Sequence, residues 1–95
     1  MRIDYIVCPA DIEDKLISKH HVTSLEARQA ILNNPRIRFA EQGYIEGEDV
    51  YVAFGRSFSG RYLSVFFVHK PTSRTAIIIS ARDMNKKERK AYGRK

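Results

Sequence analysis

The chain has 95 residues, of which 43% are hydrophobic and 29% charged, and its formal net charge is +6. This length supports one hydrophobic core, so we expect a single domain over residues 1–95. No apolar run approaches the roughly 20 residues of a membrane helix, and the N-terminal residues lack the pattern of a secretory signal. Cys8 is the one cysteine, so an internal disulfide is excluded. These features favour a cytoplasmic protein with no membrane partner.

Basic residues concentrate at the C-terminal end. Residues 84–95 hold six basic side chains against one acid, Glu88, which leaves +5 of the total +6 in this segment. The six are Lys86, Lys87, Arg89, Lys90, Arg94 and Lys95. A basic segment on a nearly neutral body suggests a polyanion or an acidic protein as partner. The alternative is a solvated terminal helix whose charge serves solubility alone.

The first half of the chain predicts one short strand and two helices. Weak alternation indicates the strand over residues 2–7, and the helices are expected over residues 10–19 and 24–33. Thr23 stands three residues before Glu26, which is the spacing of a capping box at the start of the second helix. Its apolar arc is expected to include Leu25, Ala27, Ile31 and Leu32.

The second half switches to the two-residue period of β-strands. Strands are predicted over residues 36–40, 50–57, 61–69 and 74–82, the last three joined by short turns as an antiparallel meander. Asp83 is expected to cap a final helix over residues 84–92. Phe66, Phe67 and residues 77–79 leave no polar face, so helices should cover both sides of the sheet. The predicted fold class is α+β: a four-stranded antiparallel sheet, with a possible short extra N-terminal strand, carrying two N-terminal helices and one C-terminal helix.

The histidines His20, His21 and His69 lack the spacing of a metal-ligand set, and the sequence contains no nucleophile elbow or phosphate-binding glycine loop. We therefore expect no metal and no cofactor. Three arginines stand at strand ends: Arg56, Arg61 and Arg82. In an antiparallel meander all three ends lie at one rim of the sheet, where the last helix also begins with Lys86 and Lys87. Guanidinium groups suit phosphate because they donate paired hydrogen bonds and stay charged; the alternative is that strand-end arginines simply reach into water.

Glu88 falls on the apolar face of the last helix, together with Met84, Ala91 and Tyr92. An acid on a packing face needs a cationic partner, and Arg56, Arg82 or His20 could supply it. In that case Glu88 holds a functional cation in place. The alternative is that it bends off the edge of the face into water.

Several motifs, taken together, resemble the BrnT family of ribonuclease toxins from bacterial type II toxin–antitoxin systems. The resemblance covers nearly the whole chain in order. It rests on Lys19-His20, on Gly55-Arg56 followed by Gly60-Arg61, and on Ile79-Ser80-Ala81-Arg82 with Lys87-Glu88-Arg89 and Tyr92. It implies a RelE-like fold, metal-independent RNA cleavage that inhibits translation, and a DNA-binding antitoxin as partner. The family usually has glycine after Lys-His, where this chain has His21; if that position is left-handed, His21 adopts it at some cost.

The expected chemistry is attack by the RNA's own 2′-hydroxyl on the adjacent phosphate, with positive groups stabilising the phosphorane. We expect Arg61, Arg82 and Lys87 to stabilise the phosphate, His20 to act as acid or base, and Glu88 to orient a cation. The residues expected to bind nucleic acid are Arg56, Lys86, Arg89, Lys90 and Tyr92, the last by stacking on a base or by packing alone. Two other hypotheses remain open: an inactive toxin homologue that binds RNA or an acidic partner, and a plain protein-interaction domain.

Overall fold

The computed structural model describes residues 1–93, and the expectations that involve Arg94 and Lys95 lie outside this part of the chain. In chain order the elements are β1 (Tyr5–Val7), α1 (Ala10–His20), α2 (Ser24–Leu32), β2 (Arg36–Glu41), β3 (Val50–Arg56), β4 (Tyr62–Lys70), β5 (Thr75–Asp83) and α3 (Lys86–Gly93). The predicted order of helices and strands is confirmed, with boundaries shifted by a few residues.

The sheet has five strands in the order β1-β5-β4-β3-β2. Strands β2 to β5 pair antiparallel, as the short turns predict, whereas β1 pairs parallel to β5. The four predicted antiparallel strands are confirmed as β2 to β5, but the sheet as a whole is mixed, because the possible N-terminal strand is a fifth member that pairs parallel. After β1, helices α1 and α2 lead the chain to β2 at the far edge of the sheet. The chain then returns through β3 and β4 to β5, which lies beside β1. The RelE-like arrangement remains a prediction.

Local signals define the helix ends. The capping box of α2 is confirmed: the Thr23 hydroxyl accepts from the Glu26 amide at 3.1 Å, and the Glu26 carboxylate accepts from the Thr23 amide at 3.0 Å. The prediction that Asp83 caps α3 is wrong. Asn85 caps it through a second capping box, in which its side chain accepts from the Glu88 amide at 2.8 Å and Glu88 accepts from the Asn85 amide at 3.0 Å. Asp83 instead ends β5.

Helices α1 and α2 cover one face of the sheet, which we call the helix-pair face. Leu63, Val65 and Phe67 of β4 point into it and are fully buried. Gly55 lets α2 approach closely, since a Cβ there would lie 2.1 Å from the carbonyl oxygen of Ala30. From α2 the core receives Ala27, Ala30 and Ile31, whereas Leu25 and Leu32 are exposed, so the predicted apolar arc was too wide. Ala27 and Ala30 suit this close approach, because their small side chains let the helix backbone lie near the sheet.

The opposite face, which we call the α3 face, carries Tyr62, Ser64 and Phe66 from β4. Helix α3 lies across one end of it: Tyr92 packs against Tyr62 with ring centroids 6.0 Å apart, and Ser64 donates to Glu88 at 3.1 Å. Helices therefore lie on both faces, as expected, but α3 covers only the end of this face where β3 ends and β4 begins. None of the helices in residues 1–93 has the length and apolar character needed to span a membrane.

Candidate nucleic-acid interface

A charge pair on the α3 face joins Arg82, near the end of β5, to Glu88 in the first turn of α3. The contact is bidentate, with Nη1 2.7 Å from Oε1 and Nη2 2.9 Å from Oε2. This confirms the expectation that Glu88 has a cationic partner on its packing face. Paired donors on a planar carboxylate fix both position and orientation of the guanidinium.

Arg82 is the largest cause of a strong shift at Glu88. Its hydrogen bonds, with those from the Asn85 amide and the Ser64 hydroxyl, outweigh partial burial and lower the pKa of Glu88 to about 2. Arg82 also donates to the Asp83 carbonyl at 3.2 Å and lies over the Phe66 ring, 5.5 Å from its centroid. At neutral pH the site therefore holds a fixed cation beside a fixed anion.

A second group of cations surrounds Tyr62 at the start of β4. The guanidinium carbons of Arg89 and Arg56 lie 4.2 and 4.9 Å from the centre of its ring. Tyr92 meets the same ring edge-on and is only 8% exposed, which fits the packing alternative for Tyr92. Cations against an aromatic face form a surface suited to phosphate and to a stacked base.

Two further arginines of this surface come from β2 and were not predicted as site residues. The register pairs Arg36 with Phe54 and Arg38 with Val52, which places both arginines on the α3 face. Arg36 donates to the carbonyl of Ala91 at 3.2 Å, and both arginines line a cavity of about 200 Å³ beside α3. The alternation of Arg36 and Arg38 with apolar neighbours was a signal that could have found them.

The other predicted cations of α3 lie on its exposed side. Lys86, Lys87, Arg89 and Lys90 are all solvent-exposed, and Lys87 lines the cavity next to Arg36 and Arg38. We call the whole set the basic surface; it comprises Arg36, Arg38, Arg56, Arg82, Lys86, Lys87, Arg89 and Lys90. The charge concentration expected near the C-terminus is thus joined by arginines from three strands.

Arg61 differs from the other strand-end arginines because its side chain lies on the helix-pair face. Its guanidinium donates to Asp83 at 2.9 and 3.2 Å and to Glu26 at 3.3 Å. It also donates to the backbone carbonyls of His21 at 2.6 Å and His20 at 3.2 Å. The contact with Asp83 raises the pKa of Arg61 and lowers that of Asp83. The pKa of Glu26 is lowered chiefly by the hydrogen bond from the Thr23 amide, with a smaller contribution from Arg61. The expectation that Arg61 and Arg82 share one pocket is therefore corrected: they share an end of the sheet but point to opposite faces.

The alternation of side chains along the strands explains why Arg61 and Arg82 lie on opposite faces. Arg82 pairs with Ser64, so both side chains point to the α3 face. Arg61 is three residues before Ser64, and side chains alternate along a strand, so Arg61 points to the other side. His20 lies beside Arg61 at the end of α1, exposed, and its charge contributes to the lowered pKa of Asp83 after the larger effect of Arg61. Two clusters therefore meet across the rim of the sheet through the adjacent residues Arg82 and Asp83.

Residues 11–88 match the sequence profile of a family described as the ribonuclease toxin, BrnT, of type II toxin–antitoxin systems. The chain belongs to the BrnT family. The matched span runs from the first turn of α1 to Glu88. It therefore includes the Arg82–Glu88 pair and the contacts of Arg61 with Asp83 and Glu26. A search of curated proteins found no match to the sequence. Membership in the BrnT family implies a ribonuclease toxin of a type II toxin–antitoxin system, with an RNA substrate and an antitoxin protein as partner.

His21 stands where the BrnT resemblance led us to expect glycine. It has φ 54° and ψ 38°, the left-handed conformation that the glycine would favour. Its amide donates to the carbonyl of Ile17 and that of Val22 to Leu16, which ends α1 in the manner of a Schellman motif. His21 therefore adopts the conformation that glycine would favour, and its carbonyl accepts a hydrogen bond from Arg61.

Proposed function

We propose that this chain is a metal-independent endoribonuclease that acts in the cytoplasm and inhibits translation by cutting RNA on the basic surface. The observation that carries the proposal is the bidentate Arg82–Glu88 pair, a cation fixed in orientation among arginines and lysines from four elements. Preorganised positive charge is what a phosphoryl transition state needs most, because it stabilises charge without reorganisation during the reaction.

In the proposed reaction the 2′-hydroxyl of the RNA loses a proton and attacks the adjacent phosphorus, and the 5′-oxygen of the next nucleotide leaves with a proton. Arg82 and Lys87 stabilise the charge on the phosphorane oxygens. Glu88 keeps Arg82 in place; because its pKa is about 2, it remains a carboxylate and does not donate the proton. His20 is the proposed acid or base. It lies at the end of α1 beside Arg61, so the reacting phosphate is proposed to sit at the rim of the sheet, where Arg82 and Asp83 are adjacent.

The proposed roles of the remaining residues follow from the groups that their side chains contact. Arg61 is a positioning residue, because its guanidinium is directed at Asp83, Glu26 and the carbonyls that end α1. Arg56 and Arg89 bind the RNA backbone beside Tyr62, with Lys86 and Lys90 adding charge along α3. Arg36 and Arg38 continue the RNA-binding surface to β2, the edge strand of the sheet.

The test is cleavage of total RNA by purified protein in EDTA, comparing wild type with Arg82→Ala. We expect cleavage in EDTA and a loss of roughly 100-fold or more in the variant, the typical cost of removing one charge-stabilising group. Lys15→Ala is the matched control, since it removes one positive charge from the exposed side of α1. Undiminished cleavage by Arg82→Ala would show that the site is misplaced.

The same assay separates the alternative of an inactive homologue. That alternative predicts RNA that stays intact at high protein excess, together with binding that weakens steeply as salt rises. The proposed antitoxin is a DNA-binding protein that neutralises the toxin, and co-expression with it should relieve the growth arrest that the toxin causes.

A further inference from the structure

The part of the α3 face that α3 leaves uncovered forms an apolar groove. It encloses about 600 Å³ between the strands and the loop over residues 42–49. Its floor is formed by Val50, Val68 and Ile79, and its wall by Tyr44 and Ile45 of the loop. The floor belongs to the second apolar side that the strand sequences predicted. Val50 is buried there and Val68 is partly buried, whereas Ile79 is 38% exposed.

Two features of the groove show that its apolar side chains face outward. Tyr44 is fully exposed and Ile45 is 60% exposed at the wall. A β-bulge between Phe66 and Phe67 leaves Ile79 without a partner in the register, and Ile79 turns into the groove. Grouped exposed hydrophobic side chains of this kind typically mark a binding surface.

The loop that forms the wall is held in place rather than loose. The Gly43 amide donates to the Asp49 carboxylate at 3.1 Å, and the Glu48 amide donates to the Ile45 carbonyl at 3.0 Å. Gly43 also permits a close approach, because a Cβ there would lie 1.9 Å from the Glu48 carbonyl oxygen. A preformed wall lowers the entropy cost of binding.

The rim of the groove is acidic although the protein is basic. Residues 41–49 contain four acids, Glu41, Glu46, Glu48 and Asp49, and no base. Glu41 and Glu48 line the groove, and Lys70 approaches Glu48 at 3.6 Å. The acidic rim therefore keeps an excess of negative charge, at the opposite end of the sheet face from the basic surface.

From this combination we propose that the groove docks the antitoxin through an amphipathic segment, with apolar side chains on the floor and lysines or arginines against the rim. The inference rests on the chain being a toxin with a protein antitoxin. RNA is disfavoured as occupant because its phosphates would meet the carboxylates. A second copy in a symmetric dimer is disfavoured as well, because it would bring the same acidic rim against this one.

The first test uses the cognate antitoxin and toxin released from the co-expressed complex. Isothermal calorimetry compares wild type, Ile45→Lys and Leu25→Lys. Leu25 is a matched control, since it is 62% exposed but lies on α2 at the other face. We expect Ile45→Lys to weaken binding at least about tenfold, as loss of an apolar anchor does, and Leu25→Lys to change it less than about twofold.

The second test reverses charge on the rim. Glu41→Lys should weaken binding severalfold at low salt and less at high salt, whereas Asp14→Lys on exposed α1 makes the same change in net charge and should leave the affinity unchanged. Antitoxin affinity that is equal in wild type, Ile45→Lys and Glu41→Lys would overturn the proposal. So would a toxin homodimer in analytical ultracentrifugation that Ile45→Lys disperses, or a loss of RNA binding in that variant.

RNA cleavage by each variant, measured without antitoxin, distinguishes failure of the ribonuclease proposal from failure of the groove proposal. If wild type fails to cleave RNA, the proposed chemistry fails while the antitoxin affinities still decide the groove. If all groove variants cleave normally and bind the antitoxin normally, the groove proposal fails and the ribonuclease stands.

Discussion

Replacing Arg61 by alanine should destabilise the fold far more than replacing a typical surface arginine. Its guanidinium connects the end of β5, through Asp83, to the start of α2, through Glu26, and to the two carbonyls that end α1. Alanine leaves all four partners without this donor. Because the fold needs these elements to meet, the effect should appear in stability as well as in RNA cleavage.

The magnitude follows from the exposure of each partner. Asp83 is 64% exposed, so its pair with Arg61 should contribute only about 0.5 kcal/mol. Glu26 is 24% exposed and should contribute about 1 kcal/mol. Hydrogen bonds from a cation to the carbonyls of His20 and His21 should add about 1 kcal/mol together at this partly exposed site. The expected loss is about 2–3 kcal/mol, or roughly 10–20 °C in melting temperature for a domain of this size.

Urea and thermal unfolding followed by circular dichroism measure this loss. Arg61→Lys should recover less than half of it, because an ammonium group cannot reach both carboxylates and both carbonyls at once. Arg2→Ala is the control: it removes a highly exposed arginine paired with Asp4, and should cost less than about 0.5 kcal/mol. A stability of Arg61→Ala within about 0.5 kcal/mol of wild type, with cleavage lost, would refute the positioning role and favour direct contact of Arg61 with phosphate.

Two further predictions concern single positions. His21→Gly should stabilise the protein by about 0.5–1 kcal/mol in urea unfolding, because relief of the left-handed strain exceeds the added chain entropy of glycine; a destabilised variant would contradict this reading. Glu88→Gln should make the free energy of unfolding less dependent on pH in the acid range. The pKa of Glu88 falls from 4.5 to about 2 on folding, so its stabilisation is present above pH 4.5 and is lost as pH falls toward 2. Because Arg82 is 36% exposed and partly screened by solvent, we expect the variant to lose about 2 kcal/mol less stability on acidification than wild type. Profiles of equal slope would show that the ion pair contributes nothing.

Much of the fold was readable because its signals are local. Thr23 and Glu26 form a capping box within four residues, and the strands show alternating apolar and polar residues. The order of helices and strands could therefore be predicted from the sequence. The same local signals misplaced the cap of α3. Asp83 and Asn85 are both good capping residues. In the structure Asp83 ends β5 and bonds Arg61, whereas Asn85 stands directly before α3 and caps it.

The sequence by itself indicated that three arginines stand at one end of the sheet, and it left two outcomes for Glu88, a cationic partner or a side chain bent into water. It could not determine on which face each arginine lies, because face depends on register, and a one-residue shift turns a side chain to the other side. The tertiary structure decided that Arg82 joins Glu88 under α3 whereas Arg61 holds the helix junction. It also decided that Arg36 and Arg38 belong to the basic surface, since their place beside α3 arises from contacts between residues more than fifty positions apart.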